Sequence, residues 1–172
     1  MFIPTFATIL FFLFCAGLYY VIFGGYIYGA MWLPLPERRV KRMLELANLD
    51  SSKVVFDLGA GYGNIAFKTA ESGAQVVAVE ADPFKAWWIQ REISKKKLYS
   101  VTCIKNNLLN VDLEKADVLL CYLSGSLMNK IAEKKLRKGT VIVSCVHKIK
   151  KWNPTRTDIE SRLYPIYVYV TP

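Results

Sequence analysis

Residues Val54–Gly63 read VVFDLGAGYG, and a second apolar run, VVAVEAD, follows at Val76–Asp82. The first run predicts a buried strand over Lys53–Asp57 that ends in a carboxylate. A glycine-rich turn follows it, then a helix from Asn64 to Glu71 and a second strand over Gln75–Glu80. Glycines let backbone approach a ligand closely, and a carboxylate at the second strand end can accept two hydroxyl hydrogen bonds from a ribose. Gly59, Gly61 and Gly63 have GxGxG spacing. The last glycine of the dinucleotide pattern GxGxxG falls on Asn64, which favours S-adenosylmethionine over a nicotinamide or flavin dinucleotide. A lone GxG is weak; the whole order of strand, Asp, glycines, helix, strand and Glu is specific.

Outward from this unit the α/β alternation continues. Helices are expected over Pro36–Asn48, from Pro83 to about Lys96, and over Ser126–Leu136. Strands are expected over Val101–Ile104, Asp117–Tyr122 and Thr140–Ser144. Two extended runs, Asp158–Leu163 and Ile166–Val170, would close the sheet as an antiparallel hairpin. In the second run Ile166, Val168 and Val170 alternate with Tyr167, Tyr169 and Thr171, giving one aliphatic and one aromatic face. The fold class is α/β, a doubly wound Rossmann-like sheet.

The chain has 172 residues and a formal net charge of +9, all of it on residues 37–172. Such a balance suits an anionic partner, membrane headgroups or nucleic acid, or else merely solvated lysine runs. Phe6–Trp32 is almost wholly apolar and longer than the roughly 20 residues that cross a bilayer as a helix. The expected organisation is therefore a transmembrane anchor over 1–32, a proline-containing linker over 33–36 and a catalytic domain over 37–172. Tyr26, Tyr28 and Trp32 would mark one interface, and Gly25 and Gly29 have helix-packing spacing. Arg38, Arg39, Lys41 and Arg42 follow at once. They predict a single-pass protein of the cell membrane with its catalytic domain cytoplasmic and a lipid bilayer as partner through residues 6–32. Cys15, Cys103, Cys121 and Cys145 form no CxxC pair, and no metal-ligand spacing is present.

Candidate site residues follow from strand ends. Asp57 would either orient the loop toward a methionine amino group or cap the turn. Gly59, Ala60, Gly61, Tyr62 and Gly63 form the loop. Glu80 is the ribose acceptor, followed by Ala81, and Asp82 is expected to cap the helix from Pro83. Asn106 and Asn107 would offer an amide to an adenine edge or build a turn. Tyr122, Leu123 and Ser124 leave the fourth strand where ligands of open parallel sheets bind, so Tyr122 and Ser124 are the catalytic candidates. Trp152 and Asn153 would rim a substrate channel or form a turn. One of Trp87 and Trp88 should pack against the sheet. His147 is a candidate base or a solvent-exposed residue.

The motifs together resemble the class I, seven-stranded S-adenosylmethionine-dependent methyltransferases. Within them the chain is similar to the protein lysine methyltransferases that include archaeal broad-specificity enzymes and the membrane-anchored mitochondrial enzyme acting on the ATP synthase c subunit. Four pieces carry this: LPLPERRVKRMLEL at Leu33–Leu46, the loop Asp57–Asn64, Val79–Glu80, and Trp152–Pro154, which reads WNP. The resemblance covers roughly residues 33–170. It implies S-adenosylmethionine as cofactor, S-adenosylhomocysteine as product and a protein with an accessible lysine as substrate. It also implies a cradle of Gly59, Gly61 and Gly63, ribose contact by Glu80, an adenine-side contact by Asn107, and Tyr122 as the aromatic at the strand end. Tyr62 stands where the family has Asp, and Asn64 where it has Arg. Three other readings remain: a lipid-like amphiphile as substrate, RNA, or a binding module without transfer. The NPPY-type run and paired cysteines of base-methylating enzymes are absent, which disfavours nucleic acid.

Overall fold

The computed structural model describes residues 5–28 and 33–172, with side chains for 5–20 and 33–172. Two compact units result, Met1–Leu33 and Pro34–Pro172. In the first, helix α1 spans Phe6–Tyr28. The expected transmembrane helix over Phe6–Trp32 is not shown: among the described residues no helix is long and apolar enough to cross a membrane. The bilayer contact expected of residues 6–32 loses its support with it. Tyr26, Tyr28 and Gly25 lie beyond the described side chains, and Gly29 and Trp32 lie outside the described residues.

The second unit begins with α2, Glu37–Ala47, and continues through β1 (Val54–Leu58), α3 (Asn64–Ala70), β2 (Gln75–Glu80), α4 (Pro83–Lys96) and β3 (Val101–Lys105). A 3-10 turn at Leu108–Asn110 leads to β4 (Val118–Cys121), α5 (Gly125–Ala132), β5 (Val141–Cys145), β6 (Arg156–Asp158) and β7 (Ile166–Val170). The strands form one seven-stranded sheet in the order β3-β2-β1-β4-β5-β7-β6. All neighbours pair in parallel except β5 with β7 and β6 with β7. β1 and β4 lie side by side, so the chain runs outward from one and returns to the other. A crevice opens past the C-terminal ends of strands at such a reversal.

Burial explains the sequence pattern. β4 is buried at every position, as a central strand covered on both faces must be. α2 buries Val40, Met43 and Ala47 at helical spacing. These join Val55, Val143, Ile166 and Val168 in one core cluster. On the other face Leu119, Ile142, Tyr167 and Tyr169 join Met128 and Ile131 of α5. The alternation along β7 therefore separates aliphatic from aromatic faces, as its sequence implies.

Two elements differ by more than one residue from the sequence expectation. The first strand of the closing hairpin is Arg156–Asp158, not Asp158–Leu163; Thr155 N–H bonds Val168 O at 2.7 Å and sets that earlier register. α5 stops at Ala132 rather than Leu136. The following basic run is spent on tertiary contacts: Lys134 Nζ donates to Leu109 O at 2.6 Å, Arg137 pairs with Asp117, and Gly139 N–H bonds Thr171 O at 3.0 Å.

α2 is tied to β6 by ions as well as by apolar packing. Arg39 NH2 lies 3.1 Å from Asp158 Oδ1, and Arg42 Nε lies 2.6 Å from Asp158 Oδ2. Arg39 and Asp158 are both buried. Arg39 Nε is the buried side-chain nitrogen without a hydrogen-bond partner among the described residues.

Candidate active site

β1 ends at the glycine loop, and the loop is fastened to β2. Gly59 and Ala60 N–H bond Val79 O at 2.9 and 3.0 Å. Gly63 N–H closes the turn on Ala60 O at 2.8 Å. Gly59 has φ +75°, and a Cβ there would lie 2.8 Å from Leu123 Cδ2. Gly63 has φ +85°, and a Cβ would meet the Phe67 ring at 2.7 Å. Any side chain at either position is both strained and obstructed.

Glu80 sits buried beneath this loop. Its Oε2 accepts Gly61 N–H at 2.7 Å and its Oε1 accepts Asp82 N–H at 2.9 Å. The carboxylate thus braces the loop and the start of α4, leaving one further lone pair on each oxygen. Asp82 caps α4, accepting from Phe84 N–H at 2.9 Å, as its position before Pro83 implies. Ala81 lies between these two acids, half-buried.

Asp57 is fully buried, and its Oδ2 accepts Ala66 N–H of α3 at 3.0 Å. Burial raises its pKa to about 7; the Ala66 bond opposes the rise and the neighbouring Glu80 charge adds to it. Among the described residues it forms no ion pair. It ties β1 to the first turn of α3 rather than to the glycine turn itself, and an uncompensated buried acid is also suited to a cationic ligand group.

Around this centre the remaining candidates separate. Tyr62 stands edge-on to Trp88, ring centroids 6.3 Å apart, so the loop is covered from α4. Trp87 is about half exposed and stacks with Phe84, while Trp88 faces the loop. Asn106 and Asn107 build a turn: Asn106 Oδ1 accepts Asn107 N–H at 2.8 Å, and Asn107 Oδ1 accepts Leu109 N–H at 2.9 Å. Their carbonyl oxygens serve the backbone; their NH2 groups are the atoms left for an adenine. Leu123 packs against the loop with Trp152 in the cluster that contains Tyr169, whereas Tyr122 packs in the cluster under α2. Trp152 lies edge-on to Tyr169 at 6.3 Å, and Asn153 is exposed. Ser124 is exposed and caps α5 through Leu127 N–H at 3.4 Å. His147 is exposed beside Gly125.

The structure adds neighbours that the sequence did not mark. Burial raises the pKa of Tyr122, and Tyr164 and Cys145 add to the rise. Burial also raises the Cys145 thiol, to about 11. Tyr122 and Tyr164 are half-buried, at the rim where β4 and β5 end and β7 begins. The Tyr164–Pro165 step, which separates the two extended runs expected of the closing hairpin, was the one available signal.

The fold and loop define the class: the chain is a class I, S-adenosylmethionine-dependent methyltransferase. The ANTKMT methyltransferase domain model matches residues 57–156, more than half of the chain, and the chain belongs to that family. The chain is 29% identical to the protein-lysine N-methyltransferase of Saccharolobus islandicus over 85% of this chain and 96% of that one. It is 26% identical to a probable ribosomal RNA small subunit methyltransferase A of Methanosphaera stadtmanae, covering 38% of that protein. Among solved structures it is similar to an RNA methyltransferase from Salinibacter ruber in complex with S-adenosyl-L-homocysteine. That likeness has a TM-score of 0.77 and 30% identity, over 81% of this chain and 94% of that one.

The donor set present here fits the cofactor of this class. A braced carboxylate with free lone pairs suits the ribose hydroxyls, and an uncompensated buried acid suits the methionine ammonium.

Proposed function

We propose that this protein transfers methyl groups to the side-chain amine of lysine in a protein substrate. The observation that carries this reading is the match to the Saccharolobus islandicus protein-lysine N-methyltransferase along nearly the whole length of both chains. The aromatic exit of β4 is consistent with it.

In this reading Glu80 holds the ribose while bracing Gly61, Asp57 faces the methionine ammonium, and Asn106 and Asn107 offer amide protons to the adenine. Ala60 and Tyr62 flank the loop, Ala81 follows Glu80, and Leu123 packs on Gly59. Tyr122 borders the acceptor amine, with Ser124, Trp152 and Asn153 further along the same opening. When bound, S-adenosylmethionine supplies an electrophilic methyl: the amine lone pair forms the N–C bond, the S–C electron pair returns to sulfur, and the amine proton leaves to water. The chain's own contribution is orientation and exclusion of water, which favours the neutral lysine amine that the transfer needs.

A second reading, methylation of RNA, is favoured by the similarity to the Salinibacter ruber enzyme and by the net charge of +9. The two are separated by incubating full-length protein and Glu80→Ala with a cell extract and radiolabelled S-adenosylmethionine. Protein, lipid and RNA fractions are then counted. Label mapped to lysine in a discrete protein and lost in Glu80→Ala supports the proposal. Label in RNA or lipid with none on lysine overturns it.

A further inference from the structure

The rim past β4, β5 and β7 carries a feature that cofactor binding does not use. Val146, the residue after β5, has φ +77°. A β-branched residue rarely enters this left-handed region, and such strain persists only where surroundings impose it. Here two bonds impose it. Val146 N–H donates to Pro165 O at 2.7 Å, and Ser144 Oγ–H donates to His147 O at 2.6 Å. The turn is thereby locked to the segment that enters β7.

Strand register puts three side-chain bearers in sequence along this rim. Cys121 pairs with Ser144, so Tyr122 lies beside Cys145. Cys145 pairs with Ile166, so Val146 lies beside Pro165 and next to Tyr164. Tyr122, Val146 and Tyr164 all pack, partly buried, on the same core cluster, joined there by Leu35 of the proline-rich segment. Three separate pieces of chain thus bring apolar and aromatic side chains to the end of the sheet where β4 and β5 finish and β7 begins. A glycine would fit the backbone at 146 without strain; valine there places a branched apolar side chain at the rim.

We propose that Tyr164 and Val146, together with Tyr122, line the channel that admits the acceptor lysine, with Tyr164 a specificity-determining residue. This rests on the lysine methyltransferase reading above. The rings and Val146 would pack along the aliphatic stem. Two aromatic faces would also favour a lysine cation on arrival and its methylated forms afterwards.

The test uses full-length protein with the lysine peptide mapped in the labelling experiment. Tyr164→Ala, Tyr164→Phe and Val146→Gly are compared with wild type for peptide KM, S-adenosylmethionine dissociation constant and melting temperature. Tyr164→Ala is expected to raise peptide KM by about tenfold, with cofactor affinity held within about twofold, and Tyr164→Phe to recover most of the loss. Val146→Gly should raise peptide KM without lowering the melting temperature, because it relieves strain. This second variant stands if Tyr164→Ala does not fold. Unchanged peptide KM in both Tyr164→Ala and Val146→Gly overturns the channel, as does an equal loss of cofactor affinity. Those failures occur while wild type still methylates lysine. Wild type that labels only RNA or lipid overturns the underlying reading, and that result is read before any variant is made.

Discussion

Asp57 and Asp158 are both buried carboxylates at strand ends of one sheet, yet their surroundings have opposite sense. Asp158 receives two guanidinium groups, from Arg42 and Arg39, and those bonds hold its pKa below the usual carboxylate value. Asp57 receives one backbone N–H and lies near another acid, and burial lifts its pKa to about 7. The acid that fastens α2 to β6 is fully compensated by the chain itself. The acid under the glycine loop is not, which suits the ammonium group of the proposed cofactor pose. The count of cations around the same side chain distinguishes the two sites: two guanidinium groups at Asp158, none at Asp57 among the described residues.

The strongest way to break this comparison is at the loop. Gly59→Ala combines a disfavoured φ, costing about 1–3 kcal/mol, with a Cβ that collides with Leu123. S-adenosylmethionine binding, followed by calorimetry, is expected to vanish, while circular dichroism still reports a folded sheet. Binding within about tenfold of wild type would mean the loop is not the cradle.

Asp158→Ala should act on the other side of the comparison. It leaves Arg39 buried without its carboxylate, which costs roughly 3 kcal/mol, near the lower bound for a broken buried pair because Glu160 remains close to Arg39. Chemical denaturation measures this. Cofactor affinity at a temperature where the variant is folded should be unchanged.

The pH dependence of stability sharpens the contrast further. Asp57 has a folded pKa above its unfolded one, so the folded state keeps the proton longer. Its contribution makes stability fall as pH rises from about 4 to about 7. Asp158 has a lowered folded pKa; its stabilisation is present above the ordinary value near 3.8 and is lost as pH falls below it. Asp57→Asn is therefore expected to raise stability at pH 8 by roughly 1–3 kcal/mol while weakening S-adenosylmethionine binding. Denaturant midpoints across pH, with and without the substitution, check both signs. A variant less stable at pH 8 would show that Asp57 is compensated after all.

The smallest effect is expected at Tyr62. Its ring meets Trp88 edge-on and phenylalanine keeps that ring contact, so Tyr62→Phe should change cofactor affinity by less than about threefold. A much larger loss would assign its hydroxyl a direct contact.

The two regions also differed in how far the sequence disclosed them. Asp57, Glu80 and the three glycines lie within a short span, and their roles depend on local geometry: strand end, tight turn, helix start. Asp82 as the cap of α4 was legible for the same reason. The proposed acceptor rim is drawn from Tyr122, Val146 and Tyr164, which only strand pairing brings together. No local pattern marks a valine for positive φ, since the cause is a bond to Pro165. The pair of asparagines was ambiguous because a turn and a ligand contact use different atoms of the same amide. β6 was misplaced because Arg156 and Thr157 carry no apolar signature; the edge strand exists by pairing with β7. The lysine-rich run after α5 reads as helix by propensity, but its contacts with Leu109, Asp117 and Thr171 prevailed. The apolar segment at the start of the chain was read from length and hydropathy, and the structure does not bear out a crossing helix there.

The sheet order has a consequence for biosynthesis. β7 is made after β6 but lies between β6 and β5. While residues 156–158 are already synthesised and 166–170 are not, β6 has no neighbour and β5 presents an open edge. Neither strand can be seated in passing; the later one must be inserted between them. During that interval the growing chain offers the kind of unpaired edge that invites pairing with another chain. The proposed acceptor rim, which needs Tyr164 and Pro165 in place, is then among the last parts of the protein to exist.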